Sequence, residues 1–321
     1  MPGKPYLHIV AAVLIAQDGR ILASTRPNGR SMAGRWEFPG GKLEPGEGRW
    51  QGLVRELQEE LDLTPTAGRP LIRLRHDYPD GPAVDLDVWR VDDWQGQPRA
   101  REGQAFDWFA PDALTRLDFL DANTPIVAAA RLPDRYLITP EIDELATLPD
   151  RMAAACQAGV RLIQLRGRWL SRPEARHWAG EAVARAHALG ARVLLNGSDK
   201  ALAEAIQADG LHLPAREAAR LSRRPSTRPW LRPGLLGVSC HSADELEQAH
   251  ALGADFATLG HVRPTPSHPG KAALGEREFM ALAQASPLPV YAIGGMAVAD
   301  LDRLQQAGIQ GIAAIRGLWP D

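Results

Sequence analysis

Between Gly41 and Leu63 the chain reads GKLEPGEGRWQGLVRELQEELDL, and no other stretch limits so tightly what the residues around it must build. From Arg49 to Leu61 the apolar residues Trp50, Leu53, Val54, Leu57 and Leu61 return at helical spacing, which predicts an amphipathic helix with one buried stripe. Glu56, Glu59 and Glu60 stand at i, i+3 and i+4 and share a different face. Like charges so placed repel by roughly a few tenths of a kcal/mol per pair on an exposed helix. A divalent cation turns that repulsion into ligation. Carboxylate oxygens at this density suit Mg²⁺ or Mn²⁺, which combine carboxylates with substrate phosphates and water, so the segment points to hydrolysis of a phosphate anhydride. A solvated acidic helix face has no need of Gly40-Gly41, Glu47 and Arg55 at fixed distances from the glutamates.

The chain has 321 residues, of which 45% are hydrophobic, enough for a sizeable core and for two domains. Its formal net charge of −2 provides no overall basic field to recruit nucleic acid or an acidic membrane surface. The two cysteines, Cys156 and Cys240, lie far apart without metal-ligand spacing, which argues against a disulfide scaffold or zinc site and for reduced thiols in the cytoplasm. The apolar run from Leu7 to Ala16 is followed by Gln17-Asp18-Gly19-Arg20, a turn where a leader peptide would have small residues, so a buried strand is expected there. No stretch is long and apolar enough to cross a bilayer.

In chain order, strands are predicted at His8 to Ile15, Ile21 to Arg26, Leu71 to His76, Val84 to Val91 and Asp107 to Phe109, with a turn at Tyr78-Pro79-Asp80-Gly81 and a short helix at Pro125 to Ala130. Strands flanking one or two helices imply an α/β or α+β sandwich of one domain, ending near residues 131–134.

The segment Gly41 to Leu63 is identified as a Nudix box. With WEFPGGKLEPGE, RELQEEL and REGQAFDW, residues 8 to 131 resemble the MutT branch of the Nudix hydrolases, which remove pyrophosphate from oxidised guanine nucleoside triphosphates. The resemblance implies a Nudix α/β/α sandwich over residues 1–131, and conversion of 8-oxo-dGTP to 8-oxo-dGMP in nucleotide-pool sanitisation, a DNA-repair function. It makes Glu56, Glu59 and Glu60 the helix metal ligands or base, with the Gly40 carbonyl and Glu102 of REGQ as further ligands of Mg²⁺ or Mn²⁺. Gly41, Glu47 and Arg55 would hold loop and helix together. Arg26, Phe38, Tyr78 and Asn123 would address the nucleotide; the Asn123 carboxamide, both donor and acceptor, suits the altered edge of an oxidised purine. Asp62 stands where a glycine usually ends the helix in a left-handed conformation.

After Asp134 a new rhythm begins. Short apolar runs at Tyr136 to Ile138, Leu162 to Leu165, Val193 to Leu195, Leu211 to Leu213, Leu235 to Ser239, Phe256 to Leu259, Val290 to Ile293 and Gly311 to Ile315 alternate with helical stretches such as Ala175 to Leu189 and Ala243 to Leu252. This is the signature of a (β/α)8 TIM barrel over residues 135–321, whose site lies at the C-terminal ends of the strands. Those ends carry Gln164, Arg166, Asn196, His212, Ser239, His241, His261 and Gly294-Gly295, the glycines placed for close approach to a phosphate. The Arg/Pro-rich run from Arg216 to Arg232, with only Trp230 aromatic, is read as a solvated loop rather than a nucleic-acid contact.

IQLRGR, LLNGSDKAL, ADGLHL, GVSCHS, GADFATLGHVRPTPSHPG and AIGGM make this half resemble the thiamin phosphate synthase and TenI superfamily. The synthase pattern is incomplete: Asn196-Gly197 replaces an Asn-Asp pair, Pro214-Ala215-Arg216-Glu217 replaces Gly-Gln-x-Asp, and His268 replaces a lysine. Gly260-His261-Val262 and the segment around His241 resemble TenI, a metal-free thiazole tautomerase, and would make His241 an acid/base. Two readings of the whole chain follow. In one, a hydrolase of oxidised nucleotides carries an appended TenI-like barrel. In the other, the barrel binds a thiamin-related phosphate and the Nudix half cleaves a thiamin-related pyrophosphate.

Overall fold

In the computed structural model, which describes residues 6–27, 29, 32–78, 82–223, 234–265, 270 and 272–320, the apolar run after Leu7 forms a strand buried on both faces. Pro79 to Gly81 of the expected turn, residues 224–232 of the Arg/Pro-rich run with Trp230, and His268 lie outside the described residues. The chain divides into two compact units, Met1–Arg131 with Gln305–Gly308 and Leu132–Leu304 with Ile309–Asp321. Among the described residues no helix is long and apolar enough to cross a membrane.

The first unit contains, in order, β1 (Tyr6–Leu14), β2 (Ile21–Thr25), β3 (Trp36–Glu37), β4 (Gly40–Lys42), α1 (Arg49–Leu61), β5 (Thr64–Asp77), β6 (Ala83–Gln95), β7 (Phe106–Phe109) and α2 (Thr124–Arg131). One sheet has the order β4-β1-β6-β5, with β1 parallel to β6 and its other pairs antiparallel; a smaller antiparallel sheet has the order β3-β2-β7. Successive residues of β1 point to opposite faces: Val10, Ala12 and Leu14 pack with Leu53, Leu57 and Leu61 of α1, while Ala11 and Val13 join the cluster of Ile126 and Val127 from α2. Burial on both sides explains why this strand reads as a continuous apolar run and not as an alternation.

Helix α1 has the predicted bounds, and its end is built as the sequence departure demands. Asp62 takes φ 59° and ψ 34°, its N–H donates to the Leu57 and Gln58 carbonyls, and its Oδ1 accepts from Gln58 Nε2 at 2.9 Å. Strands β5 and β6 are far longer than the predicted cores. Their outer ends pair through register shifts between Pro65 and Ala67, Ala67 and Arg69, and Pro70 and Ile72, which break the alternation a strand is recognised by.

In the second unit eight parallel strands close a barrel: β8 (Arg135–Ile138), β9 (Leu162–Leu165), β10 (Arg192–Asn196), β11 (Gly210–Leu213), β12 (Leu235–Cys240), β13 (Phe256–Gly260), β14 (Val290–Ile293) and β15 (Gly311–Ala314). Helices α3 (Leu148–Gln157), α4 (Ala175–Ala188), α5 (Lys200–Ala205), α6 (Ala215–Ser222), α7 (Ala243–Ala251), α8 (Glu276–Gln284) and α9 (Leu301–Gln306) separate them in turn. The barrel interior is packed, with Tyr136, Leu162, Leu194, Leu235, Phe256 and Tyr291 in one cluster. The fold is therefore mixed α/β, a sandwich followed by a TIM barrel, as the strand and helix patterns predict.

Candidate functional site

A cavity of about 590 Å³ opens at the C-terminal ends of the barrel strands, and one of about 790 Å³ lies in the first unit against β4 and α1.

The first-unit cavity is built on α1. Glu56 and Glu60 are one helical turn apart and line it together with Glu102, which comes from the loop before β7. That loop is tied to the helix by Gln104, whose side chain donates to the Glu60 carbonyl (2.8 Å) and accepts from the Glu102 N–H (2.9 Å). Glu60 is largely buried and accepts from the Gly40 N–H at 3.0 Å. Burial, then the negative charges of Glu102, Glu37 and Glu56, push its carboxyl up to about 8. Glu56 is raised too, chiefly by burial, against the opposing pull of Arg55. A side chain on Gly41 would put its Cβ 2.2 Å from Glu56 Oε2, so only glycine lets that carboxylate lie where it does.

Arg55 organises the loop between β4 and α1. It forks onto Glu47 (2.9 and 3.0 Å), reaches Glu56 (2.9 Å) and Glu59 (3.1 Å), and donates to the Lys42 carbonyl (3.0 Å). Glu47 in turn accepts from the Glu44 N–H at 3.0 Å, and Arg55 holds its carboxyl down at about 2. Glu59 is exposed and is not on the cavity wall, although Arg55 Nη1 bridges it to Glu56.

The remaining wall holds the expected nucleotide contacts. Arg26 is not a solvated charge but pairs with Glu37 at 2.7 Å. Phe38 is buried and stacks on Phe119 with ring centroids 5.2 Å apart. Tyr78 is half-buried, edge-on to His76. Asn123 is only 5% exposed, lines the cavity, and makes no side-chain hydrogen bond among the described residues. Glu37, which lines the cavity, and Gln104, which ties down the Glu102 loop, are positions the sequence pattern did not single out; Gln104 lies inside REGQ, and Glu37 adjoins Phe38.

Among the described residues no three His, Cys, Asp or Glu side chains already stand close enough to hold a metal ion. The donor set nevertheless fits a hard divalent cation. Glu60 is a buried carboxylate crowded by three others, an arrangement that favours whatever brings positive charge between them.

The barrel cavity gathers Gln164, Arg166, Asn196, Ser239, His241, His261, Gly294 and Gly295. Gly294 and Gly295 have φ +95° and +69°, and a Cβ on either would strike His261 or Arg263. Arg263 holds this loop by donating to the Gly295 carbonyl (3.1 Å) and to Asp300 (2.8 and 3.1 Å). His241 is exposed, and its Nδ1 lies 3.0 Å from Glu245 Oε2. Arg216 and Arg316 also line the cavity, whereas among the described residues no Asp or Glu does, Glu217 included.

His212 borders the barrel cavity yet is almost fully buried, and burial lowers its pKa to about 3. The folded barrel keeps this imidazole neutral while the unfolded chain protonates it near its ordinary value. Between those values the unfolded state binds more protons, so stability is full above about pH 6.5 and falls as the pH drops, by about 1.4 kcal/mol per pH unit at most. Denaturant unfolding at a series of pH values should show this slope, and His212→Gln should remove it; an unchanged slope in the variant would assign the effect elsewhere.

Residues 5–130 match the family described as NUDIX domain, and residues 135–318 that described as Thiamine monophosphate synthase. The chain is 38% identical over 120 residues to CTP pyrophosphohydrolase of Escherichia coli (strain K12), covering 37% of this chain and 88% of that protein. To 8-oxo-dGTP diphosphatase of the same organism it is 37% identical over 122 residues, 38% of this chain and 94% of that protein. Its second half is 35% identical over 193 residues to Thiamine-phosphate synthase of Bordetella avium (strain 197N), 57% of this chain and 86% of that protein.

Proposed function

Because the chain belongs to the Nudix hydrolases through residues 5–130 and to the thiamine monophosphate synthase family through residues 135–318, we propose that its N-terminal pyrophosphohydrolase unit acts on a nucleoside triphosphate, 8-oxo-dGTP foremost, releasing 8-oxo-dGMP and pyrophosphate. The observation that carries this reading is the single cavity in which the carboxylates Glu56, Glu60 and Glu102 face a pocket of Phe38, Tyr78 and the unpartnered, buried Asn123.

Glu56, Glu60, Glu102 and the Gly40 carbonyl would hold Mg²⁺ or Mn²⁺. When bound, such a cation neutralises charge on the phosphates and makes water a stronger nucleophile. The chain itself does the placing. Arg55 and Glu47 fix the loop that follows Lys42, and Gln104 fixes the approach of Glu102. Arg26, set by Glu37, offers positive charge to the triphosphate. Phe38 and Tyr78 give the base an apolar wall, and Asn123 has both a donor and an acceptor to spend on its edge. The buried free thiols Cys156 and Cys240 suit a reducing cytoplasm.

A hydrolysis screen with Mg²⁺ against 8-oxo-dGTP, dGTP, CTP and thiamin pyrophosphate tests this. A preference for 8-oxo-dGTP is expected, and Asn123→Ala should lower kcat/KM for it about 10- to 100-fold, with a smaller loss for dGTP. Selectivity for CTP would transfer the assignment to a cytidine nucleotide, and selectivity for thiamin pyrophosphate would overturn the nucleotide reading. For the barrel, the cavity lined by arginines and, among the described residues, by no carboxylate supports binding of a thiamin-related phosphate without a magnesium ion.

A further inference from the structure

At the floor of the barrel cavity, side chains from β8 and from the neighbouring strands β11 and β12 form a continuous hydrogen-bond chain. Tyr136 on β8 places its hydroxyl 3.0 Å from His212 Nδ1 on β11, and His212 Nε2 lies 2.9 Å from Ser239 Oγ on β12. Gly237, opposite His212 in the β11–β12 register, leaves the room this needs: a Cβ there would come within 2.5 Å of His212 Nδ1 and of the Phe256 ring. The ring is enclosed by Tyr136 and Phe256, and the one charged group acting on it is Arg166, which also disfavours a second proton.

We propose that Tyr136, His212 and Ser239 form a hydrogen-bond chain of fixed direction, which leaves the Ser239 hydroxyl proton free to point into the barrel cavity and donate to an anionic oxygen of the ligand. The direction follows from counting protons. A neutral imidazole carries one N–H. Tyr136 is fully buried and keeps its proton, and His212 is its only hydrogen-bond partner among the described residues. If Nδ1 carried the imidazole proton, the Tyr136 O–H would be left buried with no acceptor, the arrangement that buried polar groups avoid. Tyr136 therefore donates to Nδ1, Nε2–H donates to Ser239 Oγ, and the Ser239 proton has no protein acceptor among the described residues. Ser239 lines the cavity, so its proton goes there.

The rest of the wall agrees in sign. Arg166, Arg216 and Arg316 line the same cavity, the amide of the buried Gln164 makes no side-chain hydrogen bond among the described residues, and no described Asp or Glu competes for a donor. His212 and Tyr136 are positioning residues in this scheme: His212 borders the cavity, but both its ring nitrogens are spent on Tyr136 and Ser239, so the pair acts by orienting Ser239. The identity of the acceptor as a phosphate oxygen rests on the phosphate binding proposed above for the barrel; the direction of the chain does not.

Two measurements on the full chain separate these parts. Nitrogen NMR of ¹⁵N-histidine-labelled protein reads the tautomer directly, the His212 signals being those perturbed by Ser239→Ala. A protonated Nε2 with an unprotonated Nδ1 is expected, and the reverse overturns the fixed direction without bearing on phosphate binding. Titration with inorganic phosphate, followed through the ring signals of His241 and His261, should show binding that Ser239→Ala weakens about tenfold. Tyr136→Phe should weaken it in the same direction and alter the His212 tautomer signals, a change that loss of packing alone does not produce. Equal affinity in Ser239→Ala overturns the donor role, and no response in the parent protein overturns the phosphate reading together with it.

Discussion

Replacement of Glu60 by glutamine is expected to lower kcat for the triphosphate about a thousandfold or more and, in the absence of divalent cations, to make the protein more stable at pH 8.5 and above. The two effects share one cause. Glu60 sits largely buried beside Glu56 and Glu102, and its carboxyl is raised to about 8 where the unfolded chain ionises near 4.5. With the folded pKa raised above the unfolded one, the stability this group contributes is complete below about pH 4.5 and is lost as the pH rises through about 8. Above that range the ion is held against both desolvation and its neighbours. Glutamine keeps the shape and an acceptor for the Gly40 N–H, and it carries no charge to hold. Thermal melts with excess chelator, beside initial-rate assays with Mg²⁺, check both halves. A variant with near-normal turnover would remove Glu60 from the chemistry, and one that melts lower at pH 9 would refute the crowding.

Gly40→Ala is expected to cost about 3 kcal/mol or more in stability and most of the activity with it. At φ +146° a Cβ would lie 2.1 Å from the Val10 carbonyl oxygen and 2.7 Å from Ala11 Cα, the residue Gly40 faces in the β1–β4 pairing. Backbone, not a flexible side-chain tip, is what it would strike, so the strand must move. That movement carries off the N–H bonded to Glu60 and the carbonyl proposed as a ligand. Denaturant unfolding compared with Gly46→Ala, where a Cβ meets nothing within 4 Å, separates the clash from the general strain of a positive φ. Equal losses in the two variants would show that crowding at β1 is not the cause.

What the chain disclosed beforehand was whatever depends on neighbours in sequence. Helix α1 follows from a repeat of apolar residues within thirteen positions, and the barrel strands from short apolar runs bounded by turns and helices. Strands β3 and β4 are two and three residues long and contain glycine or charge; they exist only because β2 and β1 offer them partners. In the site, the glutamates and Arg55 form a recognisable spacing, yet that spacing does not tell which of the three lines the cavity: Glu56 and Glu60 do, and Glu59 is exposed. Glu37 showed no signal of its own, since its partner Arg26 belongs to another strand region. The role of His212 was equally hidden: its place at a strand end was legible, but its proton is directed by a tyrosine 76 residues away.

The hydrogen bonds of Arg55 span at most 13 residues along the chain, whereas the bond from Gln104 that brings up Glu102 spans 44. Short loops close faster and lose less chain entropy than long ones. The part of the pocket braced by Arg55 is thus a local structure, able to take shape as α1 forms. The remainder has to wait for the sheets. The carboxylate set is therefore assembled in two parts, one settled with α1 and the other, Glu102, only when a distant loop docks onto that helix.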